Sequence, residues 1–296
     1  MNRVAPLAGL LILSSAMAPL HAAPGIRLDV TPIWLGTASL DGEGKARTSS
    51  LLLNAATDLP VDDGFSVGLN ASYQYIDWEF RDPLSWNGQS PWGNVQRAGL
   101  GINLNWRTGD WQYTLAPSLS YAGELGADRN DSMGLGVTAV AARSFTPDLT
   151  VGLGVGLFNA IDETRVYPYL MIDWNIDEQW HLSNPFSAGP AGPAGLELGY
   201  RGLGNKWDIG AGGAYRSFRF RLARDNALAS GGVGQEEMIP LYVRFGYTPS
   251  RNTKLDLYLG AALNGKLRTE DSNGNLLTED EFDATPLFSI NFGGQF

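Results

Sequence analysis

His181 and Ser183 are the residue pair in this chain with the plainest capacity for covalent chemistry. Two positions apart on an extended strand, they project from one face, where an imidazole could take the proton of a serine hydroxyl and make it a nucleophile. A third group would have to orient the ring, and the pair would have to lie where a substrate arrives. The other histidine is His21 and there is no cysteine, which excludes thiol nucleophiles, thiolate metal sites and disulfides.

Glycine-rich runs suggest a second chemistry. Gly152-x-Gly154-x-Gly156 and Gly210-x-Gly212-Gly213 have the density of phosphate-binding loops. A dinucleotide site needs a strand, a turn and then a helix, whereas these glycines lie inside alternating segments, where small inward-facing residues are the better account. Asp271-Ser272-Asn273-Gly274-Asn275 opens with the oxygen spacing of a calcium loop, but Leu276 stands where such a loop turns on glycine and Phe282 where it closes on glutamate. The segment reads as an Asn-Gly hairpin turn. Its neighbours Glu270, Glu279, Asp280, Glu281 and Asp283 form an acidic set that could gather divalent cations between lipopolysaccharide phosphates. No resident metal and no cofactor is expected.

The elements that must position these groups are strands. Phe65, Val67, Leu69, Ala71, Tyr73 and Tyr75 alternate with Ser66, Gly68, Asn70, Ser72 and Gln74, a period of two with one greasy and one polar face. The same alternation recurs along the chain and predicts strands near 26–40, 47–59, 65–77, 94–106, 111–121, 132–144, 149–158, 165–176, 180–183, 195–200, 207–218, 238–247, 253–264 and 285–296. That is fourteen strands, or twelve if the short pair at 180–183 and 195–200 is an excursion. Six links, starting near Pro60, Arg107, Phe145, Asp177, Arg201 and Thr248, are short. They alternate with longer links at 41–46, 78–93, 122–131, 159–164, 184–194, 219–237 and 265–284. Short turns at one end and long loops at the other are the signature of an outer-membrane barrel. The fold class is therefore all-β: a transmembrane antiparallel up-and-down β-barrel.

Composition agrees with that reading. Of 296 residues 44% are hydrophobic, yet beyond residue 23 no run reaches the roughly 20 apolar residues of a membrane helix. The formal charge of −10 makes nucleic acid a poor partner. Residues 1–22 read as a cleaved signal peptide, with Arg3 before an apolar run and Ala22 at the cut, which leaves 23–296 as the barrel and the bacterial outer membrane as its address. Trp106, Trp111, Trp174, Trp180, Trp207 and Tyr247 sit beside short turns and predict a periplasmic aromatic girdle; Trp34, Tyr75, Tyr121, Phe158 and Tyr215 would form the outer one. Outer-membrane lipid and lipopolysaccharide are the expected surroundings.

Two resemblances sharpen the picture. Phe288, Ile290, Phe292 and Phe296 alternate in the final strand and resemble the terminal signal read by the barrel-assembly machinery of Gram-negative bacteria, with Gly294 departing from it. The runs Tyr167-Pro168-Tyr169-Leu170-Met171-Ile172-Asp173-Trp174, Trp180-His181-Leu182, Trp207-Asp208-Ile209-Gly210 and Tyr215-Arg216-Ser217-Phe218-Arg219-Phe220 look like an uncharacterised outer-membrane barrel family, a domain of unknown function. That resemblance spans roughly the C-terminal half and implies a fold without implying an activity.

Strand parity then assigns the inward charges. Arg97, Arg165 and Arg216 point into the lumen toward the outer mouth, with Arg244 also inward; Asp173, Asp208, Lys254 and Asp256 cluster nearer the periplasm, and Glu197 is a further inward carboxylate. Either the arginines are solvated and favour anions, or they pair with these carboxylates into a closed network. The parity also puts His181 at the periplasmic end, away from outer-leaflet substrates, so no catalytic residue is expected. The reading favoured is a passive channel or small-solute transporter. Its alternatives are a non-conducting surface or envelope-structural barrel, and an outer-leaflet lipid hydrolase.

Overall fold

The computed structural model describes residues 25–184 and 194–296; the expected signal peptide lies outside the described residues. Alternation becomes strand throughout. The elements are β1 (Ile26–Ser39), β2 (Lys45–Pro60), β3 (Phe65–Arg81), β4 (Val95–Thr108), β5 (Trp111–Glu124), β6 (Met133–Thr146), β7 (Leu149–Ala160) and β8 (Glu163–Asn175). They continue as β9 (Trp180–Ser183), β10 (Gly195–Tyr200), β11 (Trp207–Ala214), β12 (Arg216–Arg221), β13 (Val233–Ser250), β14 (Thr253–Glu270), β15 (Leu276–Phe282) and β16 (Thr285–Gln295).

Each strand from β1 to β11 pairs antiparallel with its sequence neighbour, β11 pairs with β13, β13 with β14, β14 with β16, and β16 returns to β1. The ring is closed and has fourteen wall strands, which settles the alternative of twelve. β12 prolongs β11 past Tyr215, and β15 precedes β16 across Asp283 and Ala284, so neither adds a wall position. Closure gives every wall strand a neighbour on both sides, as a sheet in lipid requires, although among the described residues β8 pairs with β9 only over Asp173–Asn175.

Prolines sit where the ladder skips. On its β16 side β1 pairs Val30 with Phe292 and resumes at Ile33 with Ser289, which brackets Pro32. β5 pairs Ser118 with Gly101 and resumes at Leu115 with Leu104, which brackets Pro117. A residue without an N–H cannot donate to a ladder, and in both cases pairing on the opposite side continues through the proline.

Two parts of the wall depart from the sequence reading. The link expected at 219–237 is strand at both ends and loop only over 222–232, since β12 pairs with β13 from Arg216 opposite Met238 to Arg221 opposite Val233. The link expected at 265–284 is a hairpin of β14 and β15 around the Asn-Gly turn, with Gly274 at φ +82° and its N–H bonded to the Asp271 carbonyl. β12 still alternates, but its apolar face, with Phe218 and Phe220, turns into the barrel mouth and not to lipid, while the β14–β15 hairpin beyond Gly265 is polar along much of its length.

Candidate functional site

A lipid-facing belt comes first, because it defines where the lumen begins and ends. Leu69, Leu100, Leu115, Leu153, Leu241, Val243, Leu259 and Phe292 are exposed on the outside of the wall. At the short-turn end, exposed tryptophans pair with half-buried rings: Trp207 with Tyr247 at 4.4 Å between centroids, Trp180 with Tyr200 at 4.8 Å and Trp106 with Phe65 at 5.4 Å. An apolar band around a closed ring, edged by aromatic residues, is a surface made for a bilayer. This chain is a transmembrane β-barrel of the outer-membrane kind.

No family model matches the chain, and no curated protein matches its sequence. Solved structures similar to it include an outer-membrane channel from Pseudomonas putida F1, at 9% identity over 96% of this chain and 100% of that one, with a TM-score of 0.48. The P. putida toluene transporter TodX aligns at 10% identity over 95% and 93%, with a TM-score of 0.44. The KdgM porin aligns at 10% identity over 91% and 99%, with a TM-score of 0.37.

The barrel's outer mouth is filled. The hairpin of β12 and β13 leans across it far enough for Arg221 to bridge Gly123 of β5 in parallel. One face of β12 carries Phe218 and Phe220 into a cluster with Trp78, Trp86, Trp92, Val95, Leu222, Val233, Met238 and Leu267. Phe220 and Leu222 are 0% exposed and Trp92 is 1% exposed. Trp92 is the hub, edge-on to Phe220 at 5.2 Å, to Trp78 at 5.6 Å and to Phe80 at 5.6 Å, while the indole N–H of Trp86 donates to the Thr269 hydroxyl at 2.9 Å. Between this plug and the wall of β1–β3, beside Glu236, about 10 Å³ remains, lined by Leu35, Trp78, Phe282 and Thr285 among others. That is room for no more than a water molecule.

Polar contacts hold the plug in place. Glu124, at the end of β5, accepts from the Gly93 N–H at 2.8 Å, the Ala223 N–H at 2.8 Å and the Asn226 side-chain amide at 3.1 Å, joining the β3–β4 and β12–β13 loops to the wall. Arg219 donates to Glu270 at 2.8 Å, and Arg221 pairs with Asp162 at 2.7 Å. Gly234 is required here, because a Cβ at that position would stand 2.5 Å from the Phe220 ring and 3.2 Å from Trp92.

Toward the periplasm the lumen is polar and largely paired. Arg244 donates to Glu197 at 2.8 Å and 2.9 Å, to Asp256 at 2.9 Å and to Asp208, and Lys254 lies 3.3 Å from Asp208 and 3.2 Å from Asp256. Gly210 leaves the room this cluster occupies: its Cβ would fall 2.6 Å from Glu197 Oε1. Next to the cluster, where Asn291 of β16 pairs with Asp256 of β14, the Thr31 hydroxyl donates to Asn291 at 2.8 Å, and Arg27 pairs with Asp29 at 3.1 Å.

The inward charges therefore divide in a way parity alone does not show. Arg244, Glu197, Asp208 and Asp256 form a closed network. Arg165 is engaged as well, donating to Ser217 at 3.1 Å and Gln235 at 3.0 Å and pairing with Glu163 at 2.7 Å. Asp173 stands apart from the Arg244 cluster, its Oδ1 2.8 Å from Nε2 of His181. Among the described residues no hydrogen bond joins Ser183 to that pair. Arg97 and Arg216 belong to no salt bridge among the described residues.

One further expectation is corrected. Phe158 is not part of an outer girdle: with Leu153, Val155 and Leu157 exposed to the outside, it falls on the inward face, where its ring lies 5.9 Å from that of Tyr167. The acidic set around the Asn-Gly turn is partly neutralised within its own hairpin, Glu279 by Lys266 at 2.9 Å and by Arg268, and Glu281 by Lys266 at 3.1 Å. Among the described residues no group of three or more His, Asp or Glu side chains converges as a metal site would. Trp86, Trp92 and Glu124 were not among the expected functional residues. The tryptophans carry one sequence signal, apolar bulk at 86 and 92 inside a long link where a solvated loop would be polar, and Glu124 carries none.

Proposed function

We propose that this barrel is a passive outer-membrane channel for small solutes whose mouth is normally closed, and that the hairpin of β12 and β13 is its gate. The observation that carries the reading is the contrast along the axis. An apolar plug, anchored by a few hydrogen bonds and ion pairs, sits over a lumen that is polar and open enough for Arg97 and Ser120 to be exposed although both point inward. A permanently sealed barrel has no use for that inner surface. The exposed arginine is also the basis for an anion preference.

Recording in planar bilayers tests this directly. The intact protein should show low or intermittent conductance, and Glu124→Ala, which unties both loops from β5, should raise the open fraction. Reversal potentials across a salt gradient should indicate anion preference. A filled mouth also favours the second reading, a non-conducting surface barrel, in which conductance stays near zero in both proteins.

A further inference from the structure

Two guanidiniums in the lumen stand outside the ion-pair networks, and the hairpin brings them together. Arg216 lies directly opposite Met238 in the β12–β13 ladder, and Phe218 directly opposite Glu236. Residues paired in this way share a face, on which Phe218, Met238 and Glu236 are buried in the plug and Arg216 stays half-buried at its edge. Arg97 reaches this face from β4, with its Cζ 5.4 Å from the centroid of the Phe218 ring, and lies close enough to Arg216 for the two to repel. Glu236 attracts Arg216, yet its Oε1 is buried without a hydrogen-bond partner among the described residues. Arg97 is exposed, and its place on β4 turns it into the lumen.

The formal charges are two positive and one negative, leaving one positive charge in a partly desolvated space where like charges interact strongly. A monoanion balances it. A dianion would overcompensate and be repelled by Glu236. The guanidinium fork matches a carboxylate in shape. We infer that Arg97 and Arg216 form a binding subsite for a monoanionic organic carboxylate, its carboxylate held by the two guanidiniums beside the edge of the plug and the rest of it in the lumen. This deepens the channel reading and rests on it only for the claim that the bound solute is a transported one.

Benzoate titrated calorimetrically into the detergent-solubilised barrel tests the subsite without requiring conduction. Saturable binding is expected, with inorganic phosphate and the neutral analogue benzyl alcohol at least tenfold weaker. Arg97→Gln should weaken benzoate at least tenfold, and Arg97→Lys should recover part of the loss. Equal binding of benzoate and benzyl alcohol by the unaltered protein overturns the proposal, a comparison that needs no variant to fold. Unchanged benzoate affinity in Arg97→Gln overturns it too. Bilayer recording separates the two readings: conductance without benzoate binding refutes the subsite alone, while benzoate binding with no conductance in the intact or the Glu124→Ala protein refutes the channel and leaves the subsite standing.

Discussion

The Trp92 ring meets the Phe220 ring edge to face at 5.2 Å, and the two residues come from opposite sides of the barrel. Trp92 belongs to the link between β3 and β4, whereas Phe220 belongs to β12, which prolongs a wall strand seven places round the ring from β4. Their contact spans the lumen, so it is both a packing interaction and the closure of the mouth.

Trp92→Ala removes the hub of that contact. Deleting a fully buried tryptophan costs about 3–5 kcal/mol where the surroundings cannot collapse. Because the loss falls on the plug while the wall ladder is untouched, the expected outcome is a raised open fraction in single-channel records with the folded barrel retained on an unheated gel.

Gly234→Val tests the plug by overpacking it. Its added atoms would overlap the rings of Phe220 and Trp92, so hydrogen exchange in residues 222–232 should speed up while exchange in β2 and β3 stays unchanged.

Arg244→Ala leaves Glu197, Asp208 and Asp256 facing one another with Lys254 alone to balance them. Removing one partner from a buried ion cluster costs about 3–5 kcal/mol. The thermal unfolding midpoint should drop, and replacing Glu197 by Gln in the same protein should restore part of it by removing one orphaned charge.

The hairpins above the membrane belt should loosen in acid. The Arg47 guanidinium holds Glu79 below the ordinary glutamate value of 4.5, and Lys266 does the same for Glu279. A depressed carboxyl pKa contributes stability that is present above the unfolded value and is lost as pH falls through the folded one. Hydrogen exchange at the β14–β15 tip should therefore be flat from pH 7 down to about 5, after correction for intrinsic rates, and should rise below 4.5. Both pairs face solvent, so the change should be small and should shrink at high salt.

Much of the architecture was legible in the chain because a wall strand with one face in lipid and one in water must alternate, and alternation is a local property. Fourteen strands, long links at one end, exposed tryptophans at the other and the inward parity of Arg97, Arg216 and Arg244 all follow from residues two apart. Phe158 shows the same rule misapplied, since its parity alone places it inside.

Local alternation is thus enough to call for a closed membrane wall and to assign each wall residue its side. Only the tertiary structure decided what fills the ring: that Trp92 meets Phe220, that Glu124 ties two loops to β5, and that Arg244 is paired while Arg97 and Arg216 are not. The physical reason is that these contacts join residues on strands far apart in the ring. Their distances depend on how the hairpin of β12 and β13 leans across the lumen, and no periodicity along one strand records that tilt.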